Sequence, residues 1–225
     1  MPGATLLGVF AKHCVPGRVK TRLAATVGDA VAAEIAERFL RAILERFANT
    51  ADRRVLAYAP DDAGQPMASL AGRRWSAEPQ GDGDLGRRMR RFFERSFAAG
   101  AERVVLLGSD SPNLPPSIVE AALAQLTEDD VVLGPSVDGG YYLIGARREP
   151  PPLFDGMPWS TPELWAATTA RLADAGIAHR PLPVWYDVDT IEELRRLYRE
   201  LAAEPELSTP LTELAARLDA LLGEP

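Results

Sequence analysis

The chain has 225 residues, enough for one large domain that buries well over half of its unfolded surface and needs no disulfide or metal staple. Its 46% hydrophobic and 25% charged residues are those of a soluble globular enzyme, and a net charge of −7 argues against a general nucleic-acid binder, which needs clustered cations. The single cysteine, Cys14, allows no intramolecular disulfide, and no run has signal-peptide or membrane-spanning character, so a cytoplasmic protein working without membrane or nucleic acid is expected.

Leu6–Phe10 predicts the first strand. The stretch Phe10-Ala-Lys-His-Cys-Val-Pro-Gly-Arg-Val-Lys-Thr-Arg-Leu23 then reads as strand, loop, helix, with Gly17, Arg18, Lys20, Thr21 and Arg22 in the turn. A glycine-containing turn at a helix start aims backbone N–H groups at an anion. Lys20 adds a point charge and Arg22 a forked donor, both suited to phosphate oxygens. A phosphorylated ligand, a nucleotide above all, is the expectation. Asp29–Asn49 has the spacing of a long amphipathic helix, and Val55–Ala59 that of a second strand. Asp61–Gly72 reads as a polar connection, Arg74–Ala77 as a short strand and Leu85–Phe97 as a helix. Val104–Gly108 is a continuous apolar run of the kind found in central strands covered on both faces. Pro115–Leu126 is helical, and Val131–Pro135 and Tyr141–Gly145 are strands flanking Asp138-Gly-Gly. Arg148–Pro158 is a proline-rich loop, Thr161–Ala175 a helix capped by Thr161, and Pro181–Val188 holds a strand. Thr190 opens a helix with Glu193 in capping-box position, and Leu211–Leu222 is a last amphipathic helix. This alternation predicts an open α/β sheet with helices on both faces and a ligand beyond the carboxyl ends of the strands.

The strand ends carry carboxylates. Asp110, beside Ser109 and Ser111 past a buried strand, suits a hard cation such as Mg²⁺, or else caps a turn. Asp187 and Asp189 point to one side if their segment is extended and so supply a second ligand, unless Asp189 merely caps the helix after it. Asp138 in its Gly-Gly turn is a hairpin signal, with a substrate-facing loop as the alternative. Gly81-Asp-Gly-Asp-Leu-Gly86 formally matches a dinucleotide fingerprint, but Asp82 and Asp84 would repel a pyrophosphate. It reads as a capping loop, or as the lining of a base or sugar pocket. His13 and His179 are isolated, Cys14 is a bystander, and the arginines of Arg87–Arg91 read as a solvated helix face.

Taken in order, Phe10-Ala-Lys with Pro-Gly-Arg-Val-Lys-Thr-Arg, Gln80-Gly-Asp-Gly-Asp-Leu-Gly, Gly108-Ser-Asp-Ser-Pro, Gly134-Pro-Ser-Val-Asp-Gly-Gly-Tyr-Tyr, Trp159-Ser-Thr and Asp187-Val-Asp-Thr span roughly residues 5–200. This set resembles a bacterial glycosyltransferase-like family of the GT-A nucleotide-diphospho-sugar transferase superfamily, cousin to phospholactate and molybdopterin guanylyltransferases. The resemblance implies a GT-A-like three-layer α/β/α sandwich with a mostly parallel central sheet. It implies a transferase domain over 1–205 and a helix over 206–225 that packs on that domain or on a partner subunit of a homodimer. It implies nucleotide contacts from Phe10, Ala11, Lys12, Gly17, Lys20, Arg22, Gly81, Asp84, Leu85, Gly86 and Ser109. Mg²⁺ or Mn²⁺ would sit on Asp110 with Asp187 or Asp189. The acceptor would meet Asp138, Gly139, Gly140, Trp159, Ser160 and Thr161. The Gly-x-Gly-Thr-Arg loop of nucleotidyltransferases is less dense here, because Val19 and Lys20 precede Thr21-Arg22.

Two reactions fit such a site. An acidic or phosphorylated small acceptor attacks the α-phosphorus of a nucleoside triphosphate and expels pyrophosphate, with Lys20, Arg22 and Asp110 as the catalytic groups. Alternatively a hydroxyl attacks the sugar of a nucleotide-sugar, with Asp138 as general base. The cationic loop favours the first reading, since a triphosphate carries more charge. A third reading, a nucleotide-binding protein without catalysis, leaves the strand-end carboxylates without a task.

Overall fold

A computed structural model describes residues 4–148 and 153–223, so part of the proline-rich loop expected at 148–158 lies outside the described residues. In chain order the elements are β1 (Thr5–Lys12), α1 (Thr21–Val27), α2 (Asp29–Arg46), β2 (Arg53–Ala59), a 3₁₀ turn (Asp61–Ala63), α3 (Gly64–Ala71), β3 (Ser76–Pro79), α4 (Leu85–Ala98), β4 (Arg103–Leu107), α5 (Pro116–Gln125), β5 (Val131–Pro135), β6 (Tyr141–Ala146), α6 (Leu164–Asp174), β7 (His179–Pro181), α7 (Ile191–Ala203) and α8 (Thr209–Leu222).

The strands form one sheet in the order β3-β2-β1-β4-β6-β5-β7. β1 lies parallel to β2 and β4, β2 parallel to β3, and β5 parallel to β7, while β6 runs antiparallel to both β4 and β5. Because strand side chains alternate, β1 and β4 feed two cores at once. Leu7, Val9, Val105 and Leu107 pack with Leu40 of α2, Phe47 just past its end, Met67 of α3 and Val119 of α5. Leu6, Val104 and Leu106 face the other way, onto Met89, Phe92 and Phe93 of α4 and Leu172 of α6. The continuous apolar run at β4 is thus covered on both faces, as its composition predicts. Gly8 lets α4 approach closely: a Cβ there would stand 2.2 Å from the Phe92 ring. A third core gathers Leu23, Ile35 and Phe39 with Tyr186, Val188, Leu194, Leu197, Leu211, Leu214 and Leu218, which seats α7 and α8 on α2. The architecture is the expected three-layer α/β/α sandwich with a mostly parallel sheet.

Three local expectations need correction. The connection expected at Asp61–Gly72 contains α3, whose Met67 and Ala71 are spaced one turn apart and buried, while Pro66 sits in the first turn, where its missing N–H is an unused donor anyway. The helix expected from Thr161 begins at Leu164; the Thr161 hydroxyl instead donates to the Pro158 carbonyl at 3.0 Å and serves the loop. The strand expected within Pro181–Val188 is His179–Pro181, followed only by a single bridge between Trp185 and Ser136, because the chain there is drawn toward the carboxyl end of β4. The capping box at Thr190 and Glu193 forms as read, with both reciprocal bonds present.

Candidate active site

The carboxyl ends of β1, β3 and β4 open onto a cleft of about 460 Å³. Its floor is the loop from β1 to α1. Lys20, the residue before α1, holds a left-handed backbone (φ 48°, ψ 43°). Among the described non-glycine residues only Lys20 and Ser160 have positive φ, and both line this cleft. Backbone strain of this kind costs about 1–3 kcal/mol per residue and collects at functional sites. The strain turns the Lys20 side chain inward until it is 5% exposed, where its ammonium pairs with Asp110 and, at 3.0 Å, with Asp189. Burial alone would lower the Lys20 pKa, but the charges of Asp110 and then Asp189 outweigh it and hold the ammonium above its ordinary value. Arg22 stands outside this pair, largely exposed, 4.0 Å from Asp189.

Two segments distant in sequence are stitched together here. The Val188 N–H donates to the Asp110 carbonyl at 2.9 Å, and the Ser111 hydroxyl lies 2.8 Å from Asp187 Oδ1 and 2.9 Å from the Tyr186 carbonyl. Glu193 Oε2 accepts the N–H groups of both Asp189 and Thr190 at 2.7 Å, so Thr190 is the cap of α7 and the Asp189 carboxylate is released for Lys20. Asp187 is half-buried beside them. Its burial first, and the nearby Asp110 charge second, push its carboxyl up to about 7.

An all-oxygen, all-carboxylate donor set fits a hard divalent cation and not a thiolate- or imidazole-seeking one. Lys20 pairs with two of the three carboxylates, Asp110 and Asp189, so one ammonium faces more than one negative charge. Yet among the described residues no three acidic, histidine or cysteine side chains form a ready-made metal cage. Lys20, expected at phosphate, and Asp110 and Asp189, expected at an ion, hold one another in this conformation.

Of the residues expected at the nucleotide, Phe10, Ala11, Lys12, Lys20, Leu85 and Ser109 line the cleft, together with Asp110 and Asp189. Gly17 turns the loop with φ 75° but does not line it. Gly81, Asp84 and Gly86 also stand outside, each with a structural task. The Gly81 N–H donates to Asp61 at 3.1 Å, and Asp84 caps α4 by accepting the Arg87 N–H at 2.8 Å. Gly86 sits so close to the Phe154 carbonyl that a Cβ would be 2.2 Å from it. The motif thus caps α4 through Asp84, while its Leu85 lines the cleft.

Of the residues expected at the acceptor, only Ser160 lines the cleft. Asp138 Oδ1 accepts the Gly140 N–H at 3.0 Å inside a tight hairpin closed by the Ser136 N–H to the Gly140 carbonyl. The tip docks on the start of α6. Trp165 donates its N–H to the Gly139 carbonyl at 2.8 Å, and a Cβ on Gly139 (φ 89°) would stand 2.3 Å from the Pro162 carbonyl. Trp159 packs its ring against Tyr141 and Phe154. Asp138, Gly139, Gly140, Trp159 and Thr161 do not line the cleft.

Sequence reasoning missed Gln80 and Arg88, which line the cleft with Arg18 and Thr21. The arginine run is not one solvated face: Arg90 pairs with Asp155 and Arg91 with Asp82, while Arg88 turns to the ligand side. The available signal was helical phase, since Arg88 follows the Asp84 cap by one turn. Lys12, Arg18, Lys20 and Arg88 against Asp110 and Asp189 make the lining cationic inside an acidic chain. Cys14 also lines the cleft, and burial pushes its thiol up to about 12. A second hollow of about 490 Å³ between α2 and α8 is slightly larger, but its Arg38 and Arg41 are already paired with Glu34 and Glu37.

Relatives bear on this geometry. A 3-phospho-D-glycerate guanylyltransferase of Phenylobacterium zucineum (strain HLK1) is 35% identical over 161 residues, which cover 68% of each chain. The crystal structure of a candidate nucleotide-diphospho-sugar transferase from Desulfovibrio desulfuricans G20 superposes with a TM-score of 0.89 at 35% identity over 96% of both chains. The CTP complex of CMP:2-keto-3-deoxy-manno-octonic acid synthetase shares the fold, with a TM-score of 0.57 at 17% identity, covering 88% of this chain and 98% of that one. No helix among the described residues is long and apolar enough to cross a membrane. The chain is an enzyme of the nucleotidyltransferase kind on a GT-A-like fold, as its motifs led us to expect. Residues 43–161 match the family model described as "Uncharacterized protein conserved in bacteria (DUF2064)", and the chain belongs to that family.

Proposed function

We propose that this protein is a guanylyltransferase that joins GMP from GTP to a small phosphorylated carboxylic acid, 3-phosphoglycerate or a close analogue, in the cytoplasm. The observation that carries the reading is the 35% identity to a 3-phospho-D-glycerate guanylyltransferase over two-thirds of both chains. The cationic cleft is consistent with it, since both substrates are multiply charged anions.

In this reading an anionic oxygen of the acceptor attacks the α-phosphorus of GTP. The bond from that phosphorus to the bridging oxygen of the β-phosphate breaks, and pyrophosphate leaves with the electron pair. The attacking group is already ionised, so no general base is required, in keeping with an Asp138 engaged in its own turn. Positioning and charge neutralisation carry the catalysis. Lys20 and Arg22, with Arg18 at the rim, take the charge of the departing pyrophosphate. Asp110 and Asp189, with Asp187 beside them, would hold Mg²⁺ or Mn²⁺. When bound, such an ion neutralises phosphate oxygens as a Lewis acid. We keep the division into a transferase domain over 1–205 and a terminal helix over 206–225, with that helix packed on its own domain through Leu211, Leu214 and Leu218.

The test is pyrophosphate release from each of the four ribonucleoside triphosphates, with Mg²⁺, in the presence and absence of 3-phosphoglycerate. Acceptor-dependent release with GTP supports the reading. The similarity to the candidate nucleotide-diphospho-sugar transferase favours a second one, glycosyl transfer. Consumption of a GDP- or UDP-sugar without pyrophosphate would establish that reading instead. Thermal stabilisation by nucleotides with no turnover of either kind would mean a binding protein.

A further inference from the structure

We infer that Arg88 is the specificity residue that reads the carbonyl edge of the guanine base; this rests on the guanylyltransferase reading and names how that site chooses its nucleotide. Arg88 lies in the first turns of α4 and lines the cleft. Its Nη1 donates to Gln80 Oε1 at 2.9 Å, and its Nε approaches the Asp84 carbonyl at 3.4 Å. Both partners are uncharged. Among the described residues no carboxylate pairs with Arg88, although Arg90 and Arg91 on the same helix each have one. A half-buried guanidinium without a counter-charge, with Nη2 free of any protein acceptor among the described residues, is built to donate to a ligand.

The position of that donor is fixed by the sheet. Gln80 is buried, and its Nε2 donates to the Ala57 carbonyl at 2.9 Å and to the Ala11 carbonyl at 3.3 Å, so its side chain lies across β2 and β1. Arg88 is therefore held above β2 and β1, whereas the Lys20–Asp110 pair lies past β4. Adjacent strands stand about 4.8 Å apart, so across the sheet the two centres are offset by roughly 5–10 Å. A nucleotide whose phosphates occupy the Lys20 end extends its base toward the Arg88 end. The flanking walls there are Phe10 and Leu85, apolar surfaces suited to the faces of a base and not to another phosphate. The Phe10 ring is itself fixed, edge to face with Phe92 at 5.7 Å.

The chemistry then selects. A guanidinium only donates. Guanine presents two acceptors side by side, O6 and N7, and a fork meets both. Adenine puts the N6 amino donor where O6 would be, so one arm of the fork faces another donor.

The experiment measures dissociation constants of GDP, IDP and ADP by calorimetry for wild type, Arg88→Met and Arg88→Lys. IDP keeps O6 and N7 but lacks the 2-amino group. For wild type we expect GDP and IDP to bind alike and ADP at least tenfold more weakly. Arg88→Met should weaken GDP and IDP by about 10- to 100-fold, the range of a bidentate base contact, and ADP by less than threefold. Arg88→Lys, which keeps a donor-only cation but loses the rigid fork, should weaken GDP and IDP less than Arg88→Met does and should reduce the guanine preference without abolishing it. Equal weakening of all three nucleotides by Arg88→Met, or an unaltered preference in either variant, would overturn the assignment while the guanylyltransferase reading stands. A wild type that prefers no guanine nucleotide would remove both. Unliganded melting temperatures of the two variants control for folding.

Discussion

Lys20 makes a prediction with two opposite signs. Its ammonium, 5% exposed, sits between Asp110 and Asp189, the groups expected to hold a divalent cation. Lysine and metal ion therefore compete for the same oxygens until a nucleotide draws the lysine onto its phosphates. Replacing Lys20 by Met removes the competitor and keeps most of the stem. A unit charge about 4 Å away is worth roughly 4 kcal/mol at an effective dielectric near 20. The carboxylates are 41% and 39% exposed, so solvent screens a good part of that, and we expect roughly 1.4–2.8 kcal/mol to remain. Since 1.4 kcal/mol is tenfold, Mn²⁺ should bind Lys20→Met about 10- to 100-fold more tightly than wild type without nucleotide. GTP binding should weaken, because the buried cation for its phosphates is gone. The assay is Mn²⁺ titration by electron paramagnetic resonance on apo protein, with GTP calorimetry in parallel. Unchanged or weaker Mn²⁺ binding by Lys20→Met would refute the competition, and unchanged GTP binding would refute the phosphate role.

Other perturbations report on the frame around the site. Asp110→Ala should abolish the Mg²⁺-dependent part of the thermal shift given by GTP; a mutant that keeps it in full shows that the ion does not use this carboxylate. Leu214 of α8 is fully buried among Ile35, Phe39, Leu194 and Leu197, so Leu214→Ala should cost about 2–5 kcal/mol, lowering the melting temperature by about 2–4 °C per kcal/mol. A loss below about 1 kcal/mol would show that α8 does not depend on this core. Arg217 on α8 makes a bidentate pair with Glu34 of α2, which holds the Glu34 carboxyl below its usual range. A depressed carboxyl stabilises the folded state above its unfolded pKa, near 4.3, and that contribution fades as pH falls through the lower folded value. Arg217→Met should therefore melt below wild type at pH 7, and the gap should close in acid below pH 4. A gap that is the same at pH 7 and pH 3.5 would assign the effect to packing.

Much of this molecule is written locally. β4 is apolar from Val104 to Leu107 because both faces are covered there, and the Thr190–Glu193 box needs only residues three apart, so both are readable from the chain. Asp110 could be singled out because an acidic residue after a buried strand lies at the ligand end of a parallel sheet. Composition likewise set the class: an acidic chain overall, with Arg18, Lys20 and Arg22 close together in the loop after β1. Helix α3 was hidden because short helices surrounded by Asp, Gly and Pro declare themselves only through what they bury.

What pairs with what belongs to the tertiary structure. Lys20 and Asp189 are 169 positions apart, and nothing in either segment says that the ammonium reaches that carboxylate and not a phosphate; it follows from the Val188–Asp110 stitch and from Glu193, which caps α7 and frees Asp189. In the same way, only the packing of α4 against β1 separates Arg88 from its neighbours Arg90 and Arg91, whose charges are spent on Asp155 and Asp82. Periodicity and capping act over a few residues, so one strand of letters can carry them. Charge pairing and strain act through space, and they take their meaning from whichever group the fold brings within reach.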